Sequence, residues 1–149
     1  MSDSILQGQV CPAVISIEIE VPLALSRIHA GFPSPAEDYA ESALDIGRLL
    51  VKDPKTTFFM KVVGDSMEGL RIHEGDILVI DRAAPIVNHC IVVARLGDEF
   101  CVKQLRMKDG QMWLYSTSDK YKPIPIGPDS DIEIWGRVLH KVTSFTGKL

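Results

Sequence analysis

Short apolar runs alternate with turn-forming residues from Thr56 to near the end of the chain, and this pattern constrains the fold more than any other feature of the sequence. The runs are rich in β-branched and aromatic residues and are separated by Gly, Asp, Pro or Asn, which is typical of strands joined by turns. Two of the turns, Gly97-Asp98 and Asp109-Gly110, have residues favoured in β-hairpins. The predicted strands cover residues 58–63, 77–80, 90–96, 100–105, 112–115 and 132–142. The sequence therefore predicts a mainly β domain.

An extended arm is predicted near the start of the chain. Residues 15–21 alternate apolar and polar side chains, and Pro12 and Pro22 stand on either side of them. This alternation is the pattern of a strand with one buried face. Such an arm could lie on a sheet or add to the edge of one.

Two short helices are predicted between the arm and the strands. Ser34 suits a helix cap, Pro35 suits the first helical position and Glu37 can reach back to the cap. This first helix is expected to end at about Ala43. A second amphipathic helix is predicted over residues 45–51.

Length and composition favour one globular domain of 149 residues, 46% of them hydrophobic. No apolar run approaches the roughly 20 residues that span a bilayer, and no signal peptide is recognisable. We therefore expect a cytoplasmic protein without membrane contact. Cys11, Cys90 and Cys101 are odd in number and lack Cys-x-x-Cys spacing, so we expect neither a disulfide framework nor a metal site, and no cofactor.

The formal net charge of −4 argues against sequence-independent DNA binding by the bulk of the chain. Such binding needs basic clusters that displace counterions from phosphates. We expect no direct specific DNA binding, so any role near DNA would act through protein partners.

Ser66 is the candidate nucleophile. It follows Gly64-Asp65 at the predicted end of strand 58–63, where a tight turn can expose a side chain and hold it rigidly. The alternative is that Gly-Asp-Ser is simply a turn, because all three residues are favoured in turns. A second feature is needed to decide between these interpretations.

Lys103 supplies that feature. With a side-chain period of two, it shares a strand face with Cys101 and Leu105, so apolar neighbours flank its amine. Burial disfavours the charged form, and a neutral lysine can accept the proton of a serine hydroxyl. The alternative is a surface strand with an outward lysine. Together, Ser66 and Lys103 favour a serine-lysine catalytic pair.

Other chemistries are less well supported by the sequence. A Ser-His-Asp triad would need His73, His89 or His140 near Ser66, and no spacing favours any of them. His29 is interpreted as an incidental side chain of the arm. Neither a phosphate-binding glycine loop nor a His-x-x-x-His metal pair is present in the sequence.

Several motifs together resemble the self-cleaving peptidase domain of the LexA and UmuD family. They are, in order, Gly64-Asp65-Ser66-Met67, the Gly75-Asp76 turn before an apolar strand, Val92-Val93-Ala94 and Val102-Lys103. Upstream, Ala30-Gly31-Phe32-Pro33-Ser34-Pro35, with Asp38-Tyr39 beyond it, resembles the self-cleavage site of the UmuD branch. The resemblance runs from about Ala30 to Val142.

The sequence departs from this family at two places. Asn88-His89-Cys90 stands where relatives tend to have a Gly and a polar residue before the Ile-Val strand, so His89 is expected to change the shape of that turn. Ala30 stands where the best-known UmuD has Cys before the scissile glycine, but Ala-Gly is the LexA-like choice. Neither departure touches the catalytic motifs.

The resemblance implies a LexA/signal-peptidase-like β fold in two parts. Residues 1–30 would be an arm removed by self-cleavage of the Ala30–Gly31 bond, and residues 31–149 would be the peptidase domain. Ser66 would be the nucleophile and Lys103 the base, while the backbone N–H groups of Ser66 and Met67 would bind the oxyanion. The family further implies an SOS-response homodimer, cleavage stimulated by a RecA filament on single-stranded DNA, and a product that joins a UmuC-type translesion polymerase.

Two other functions stay open from the sequence. One is an interaction protein that keeps this fold but does not depend on cleavage. The other is a LexA-like regulator without its DNA-binding end, because the segment before Gly31 is expected to be too short for a helix-turn-helix domain. Signal peptidases use a similar serine-lysine pair, but they need a membrane anchor.

Overall fold

The computed structural model describes residues 11–12, 20–24, 30–31, 41–147 and 149, with only the backbone at 11–12, 20–24 and 41–43. The chain divides into two compact units, one formed by residues 1–13 and 53–149 and the other by residues 14–52. Within the described residues the elements are strands β1 (Cys11–Pro12), β2 (Glu20–Ala24), β3 (Glu41–Asp45), β4 (Thr57–Lys61), β5 (Ile77–Asp81), β6 (Ile91–Leu96), β7 (Glu99–Lys108), β8 (Gln111–Tyr115), β9 (Ile124–Ile126) and β10 (Ile132–Val142), helix α1 (Ile46–Leu50) and a 3-10 turn (Glu68–Leu70).

Eight of these strands form one antiparallel sheet in the larger unit. Its order is β1-β4-β5-β10-β6-β7-β8-β9. The prediction of a mainly β domain is confirmed, and all six predicted strands are present, five with shifted ends and the last, residues 132–142, with the predicted bounds. Both predicted hairpins are also present: Gly97 and Gly110 have positive φ values of 58° and 75°, as their tight turns require.

The smaller unit contains β2, β3 and α1, and here the predictions need correction. The second predicted helix is present as α1, with the Asp45 side chain accepting a hydrogen bond from the Arg48 amide at 3.2 Å. The first was expected to run to about Ala43, but residues 41–43 belong to β3 and pair with β2. The rest of that predicted helix, residues 35–40, lies outside the described residues.

The arm prediction is also only partly covered. Pro22 was expected to end the strand, but it lies within β2 and is paired with Ala43. Proline is tolerated in edge strands, and among the described residues this sheet consists of β2 and β3 alone. Residues 13–19, which carry most of the predicted alternation, lie outside the described part of the chain.

Both faces of β6 are buried over its first four residues, which explains why residues 91–94 are all apolar rather than alternating. Val92 and Ala94 belong to one apolar cluster, and Val93 belongs to another. Neighbouring residues of a strand point to opposite faces, so the two clusters lie on opposite sides of the sheet at β6. The cluster that contains Val93 also contains Met67, which is 1% exposed and immediately follows Ser66.

The turn before β6 holds His89 in a backbone conformation that glycine usually adopts. His89 has a φ of 67°, a left-handed conformation that glycine adopts at no steric cost. The turn is held in place because the His89 amide donates to the Leu105 carbonyl at 2.9 Å and the Asn88 side chain accepts from the Met107 amide at 2.8 Å. The turn thus keeps the geometry that a glycine would favour, with contacts to β7 that stabilise it.

Asp76 connects the loop before β5 to the end of β10 and to the residue after it through hydrogen bonds. Its carboxylate is buried and accepts hydrogen bonds from the His73 amide at 3.0 Å, the Thr143 hydroxyl at 2.7 Å and the Lys141 ammonium at 3.4 Å. Burial acts to raise the pKa of Asp76, but these hydrogen bonds and the Lys141 charge outweigh it and hold the pKa below its ordinary value. Asp76 therefore stabilises the fold as a carboxylate.

We expect Asp76→Asn to lower the free energy of unfolding at pH 7 by about 1.5–3 kcal/mol, the usual contribution of hydrogen bonds to a charged group. Because the folded pKa is depressed, this stabilisation is present above the unfolded pKa and is lost as pH falls through the folded pKa. Urea denaturation at several pH values should show that the gap between parent and variant closes in acid. Asp129→Asn is the control, because Asp129 is exposed. A gap that persists unchanged in acid would contradict this role.

Candidate active site

Ser66 lies in the turn that follows β4. Val62 continues the pairing beyond the strand, since its amide donates to the Asp76 carbonyl at 2.8 Å. The chain then breaks away at Gly64, whose φ of 93° suits a residue without a side chain. Ser66 is half-buried and lies two residues beyond this break. The expected position of Ser66 in a turn after a strand is thus confirmed, although the strand ends at Lys61 rather than Gly64.

The buried side chain of Met67 anchors this turn on the core. The Met67 carbonyl accepts hydrogen bonds from the amides of Leu70 at 3.0 Å and Ile72 at 3.2 Å, which closes the 3-10 turn. Within the described part of the chain, the amides of Ser66 and Met67 donate no hydrogen bond. These two N–H groups were the predicted oxyanion donors. Their use in catalysis stays a prediction.

Lys103 lies on β7 opposite Val92 of β6, and it is only 7% exposed. Burial lowers the pKa of Lys103 below its ordinary value, and the nearby Cys101 thiolate would act in the opposite direction. The same burial raises the pKa of the Cys101 thiol. The interpretation of Lys103 as a buried lysine, rather than an outward surface residue, is therefore the correct one.

Among the described residues, the Lys103 ammonium contacts the Ser116 hydroxyl and the Tyr121 ring, and both residues follow β8. It donates a hydrogen bond to the Ser116 hydroxyl at 2.5 Å. It also lies 4.8 Å from the ring centroid of Tyr121, on the ring face. Both contacts favour the charged amine, since a hydroxyl oxygen accepts from it and an aromatic face attracts cations.

Thr117, the residue after Ser116, binds the Ser66 turn. Its amide donates to the Ser66 carbonyl at 2.9 Å, and its hydroxyl donates to the same carbonyl at 3.2 Å. That hydroxyl also accepts a hydrogen bond from the Gly69 amide at 2.9 Å. Gly69 must be a glycine here, because a Cβ atom on it would lie 2.7 Å from Thr117 Cβ. Ser116 and Thr117, which are consecutive in the chain, thus bind Lys103 and the Ser66 turn respectively.

Sequence reasoning missed Ser116, Thr117 and Tyr121. One signal could have found Ser116: a two-residue turn at Asp109-Gly110 sets Gln104 opposite Tyr115, as observed, and the next position would set Lys103 opposite Ser116. Thr117 and Tyr121 had no comparable signal, since their contacts depend on the path of the loop after β8.

An apolar groove of about 170 Å³ lies between the segments that lead to Ser66 and to Lys103. One wall is formed by residues 60–63 and the other by residues 100–102, with Leu78 and Val93 beneath them. Val63, at the end of the first wall, is 79% exposed. The groove could take an extended peptide with small apolar side chains.

Three histidines considered for a triad lie on separate elements. His73 precedes β5, His89 precedes β6 and His140 is on β10, and none of them forms a hydrogen bond to Ser66 among the described residues. Over the same part of the chain, no group of three or more His, Cys, Asp or Glu residues could hold a metal ion. The helix that the structure describes is too short to cross a bilayer.

Residues 30–31 are exposed, and Gly31 has a φ of 126°. They belong to the smaller unit, whereas Ser66 and Lys103 belong to the larger one. Cleavage between Ala30 and Gly31, and the division of the chain at this bond, stay predictions.

The part of the chain that carries this site is similar in sequence to known proteins. Residues 22–139 match the family described as Peptidase S24-like. Protein MucA of Salmonella typhimurium is 41% identical over 123 residues, covering 82% of this chain and 84% of MucA. Protein ImpA of Salmonella typhimurium is 39% identical over 121 residues, covering 81% and 82% of the two chains. The LexA repressor of Pseudarthrobacter chlorophenolicus is 37% identical over 121 residues, covering 76% of this chain and 48% of the repressor.

Proposed function

Because this chain belongs to the Peptidase S24-like family, as a UmuD-like member of its LexA and UmuD branch, we propose that it is a serine peptidase that cuts its own Ala30–Gly31 bond. The observation that carries the proposal is the junction at Ser116 and Thr117, which binds Lys103 on one side and Ser66 on the other. A buried amine of lowered pKa therefore lies on a segment fixed to the one that carries a half-buried hydroxyl.

The proposed reaction begins with neutral Lys103. Ser66 Oγ attacks the carbonyl carbon of Ala30 while Lys103 Nζ takes the hydroxyl proton. The oxyanion is bound by the amides of Ser66 and Met67, which donate no other hydrogen bond among the described residues. When the C–N bond breaks, the Lys103 ammonium returns the proton to the Gly31 amine, and an ester joins Ser66 to Ala30.

Water then completes the reaction. Lys103, neutral again, takes a proton from a water molecule that attacks the ester carbonyl, and then gives it to Ser66 Oγ as the ester breaks. The products are a fragment ending in the Ala30 carboxylate and a chain beginning at Gly31. The apolar groove lined by residues 60–63 and 100–102 would hold the small residues around the bond in an extended conformation.

A second stage of the proposal concerns partners, and it rests on the resemblance to UmuD. The chain would act as a homodimer in the SOS response, and a RecA filament on single-stranded DNA would stimulate its cleavage. The shortened product would then join a UmuC-type polymerase in translesion synthesis. The net charge of −4 supports a role through protein contacts rather than direct DNA binding.

Purified protein incubated at alkaline pH should yield a large product that begins Gly31-Phe32-Pro33, as read by N-terminal sequencing and intact mass. Gly31→Val should slow this cleavage by about tenfold or more, because a β-branched residue at a φ of 126° is strained and a side chain next to the bond crowds the cleft.

Gly127→Val is the matched control. Gly127 also has open space around its Cα, but its φ is not in the left-handed region, so its replacement should leave the cleavage rate unchanged. A product that begins at another residue would refute the assigned bond. No product under any condition would favour an interaction protein over a peptidase.

A further inference from the structure

The geometry points to Ser116 and Thr117 as a pair of positioning residues that hold Lys103 and Ser66 in one arrangement. This inference rests on the proposed function, and it names residues that the catalytic motifs do not contain. Ser116 immediately follows β8, and its hydroxyl accepts the hydrogen bond of Lys103 Nζ. Thr117 binds the Ser66 carbonyl with both its amide and its hydroxyl.

The two contacts are coupled because they come from adjacent residues. The peptide unit between them is planar, so the Cα atoms of Ser116 and Thr117 stay about 3.8 Å apart, and the Thr117 amide that binds Ser66 belongs to that unit. The third contact of Thr117, with the Gly69 amide at 2.9 Å, fixes the far end of the Ser66 turn as well. A shift of this segment would therefore move the lysine and the serine turn together.

Ser116 also sets the direction of the lysine amine. A neutral amine has two N–H bonds and one lone pair, and only the lone pair can accept a proton. With one N–H bonded to Ser116 and the amine facing the Tyr121 ring, rotation about the terminal bond of Lys103 is restricted. Fixing that rotation keeps the lone pair from turning toward unproductive directions, which matters because small errors of orientation cost much of the rate.

Ser116 is the one hydrogen-bond acceptor of Lys103 Nζ within the described residues. Over the part of the chain that the structure describes, the titratable groups near this lysine are Cys101 on β7 and Tyr121 beyond β8, and the residue opposite it on β6 is Val92. Burial lowers the pKa of Lys103, and the Cys101 thiolate would act in the opposite direction. Because the Ser116 hydroxyl accepts a hydrogen bond from Lys103 Nζ, we expect it to favour the charged amine as well. Removal of the hydroxyl should therefore lower the pKa further while it loosens the amine.

Self-cleavage rates of the parent and of Ser116→Ala, measured from pH 7 to pH 10.5, test this role. In the parent the rate should rise as pH increases through the folded pKa of Lys103, because the neutral amine is the base. In Ser116→Ala the maximal rate should fall by about tenfold to a hundredfold, and the rise should move to lower pH. Ser116→Thr should restore most of the rate, since it keeps the hydroxyl.

Ser118→Ala is the matched control. It removes a hydroxyl from the same loop, but this hydroxyl accepts a hydrogen bond from the Lys120 amide and not from Lys103. A general loosening of the loop would lower the rate in both variants and would not shift the pH profile. The same rate and profile in Ser116→Ala as in the parent would overturn the inference.

An NMR titration of Lys103 separates this inference from the proposed function. In the Ser66→Ala background, which is expected not to cut itself, adding Ser116→Ala should lower the pKa of Lys103, because the ammonium loses a hydrogen-bond acceptor. An unchanged pKa would overturn the inference even if the parent cuts itself. A parent that never cuts itself would overturn the proposed function, while the titration would still report on Ser116.

Discussion

Replacement of Ser66 by alanine, or of Lys103 by alanine or arginine, is expected to slow self-cleavage by about a thousandfold or more, as loss of a nucleophile or its base does in other serine peptidases. Without the Ser66 hydroxyl there is no nucleophile. Without a neutral amine at Lys103 the hydroxyl keeps its proton. The fraction of intact chain, followed by mass spectrometry at alkaline pH over days, measures the loss.

Lys103→Arg is the most informative of these variants. A guanidinium stays protonated at any workable pH, so arginine keeps the charge but cannot act as a base. Lys108→Arg on the same strand is the matched control, because Lys108 is exposed. Circular dichroism should show that each variant keeps the β fold. Cleavage by Lys103→Arg at the parent's rate would exclude a lysine base.

Local pairing explains why so much of the sheet could be predicted from the sequence. The β6-β7 and β7-β8 hairpins join strands that are neighbours in the chain, so alternation and turn residues specify them directly. Strand β9 was missed because it has three residues and contains Pro125, which cannot donate a hydrogen bond and usually argues against a strand. At the edge of the sheet that missing donor costs little.

Pairing between distant segments explains the errors. Residues 41–43 have a helical pattern when they are considered alone, but in the structure they pair with residues 22–24, which lie nearly twenty positions earlier. Such contacts cannot be inferred from local propensity, which tertiary structure often overrides. The left-handed conformation of His89 is similar, because contacts to β7 stabilise a backbone that His89 alone would not favour.

The candidate site divides in the same way. Burial of Lys103 followed from its strand neighbours, and the position of Ser66 followed from a strand that ends in a turn. The contacts between them come from Ser116 and Thr117, at the start of the loop after β8. Of these two residues, only Ser116 could have been placed from the sequence, by extending the hairpin register from the Asp109-Gly110 turn. The hairpin register was thus the unused information in the sequence.

Removal of residues 1–30 is expected to change which proteins the chain binds. In the structure β1 pairs with β4 at Phe59 and Phe58, and β2 pairs with β3. Cleavage after Ala30 would remove β1 and β2, so β4 would become the edge of its sheet and β3 would lose its partner strand. An edge strand offers unpaired N–H and C=O groups to an incoming strand, and Phe59 is already 39% exposed there.

We therefore expect a protein that starts at Gly31 to support lesion bypass by a UmuC-type polymerase at least about tenfold better than full-length Ser66→Ala does. A tenfold difference in affinity for the polymerase corresponds to about 1.4 kcal/mol of binding free energy. Reconstituted bypass of a lesion-bearing template, with each form titrated in parallel, measures the difference. The matched control is the Gly31-start protein that also carries Ser66→Ala, because it separates loss of the arm from loss of the hydroxyl.

The same preparations test whether the switch acts through protein contacts. Neither form should bind DNA well at physiological salt, because the chain as a whole is acidic. If shortening raised DNA binding as strongly as bypass, exposure of a protein-binding edge would not explain the gain. If uncut Ser66→Ala supported bypass as well as the Gly31-start protein, cleavage would not be the activating step, and an interaction protein indifferent to its own cleavage would be the better description.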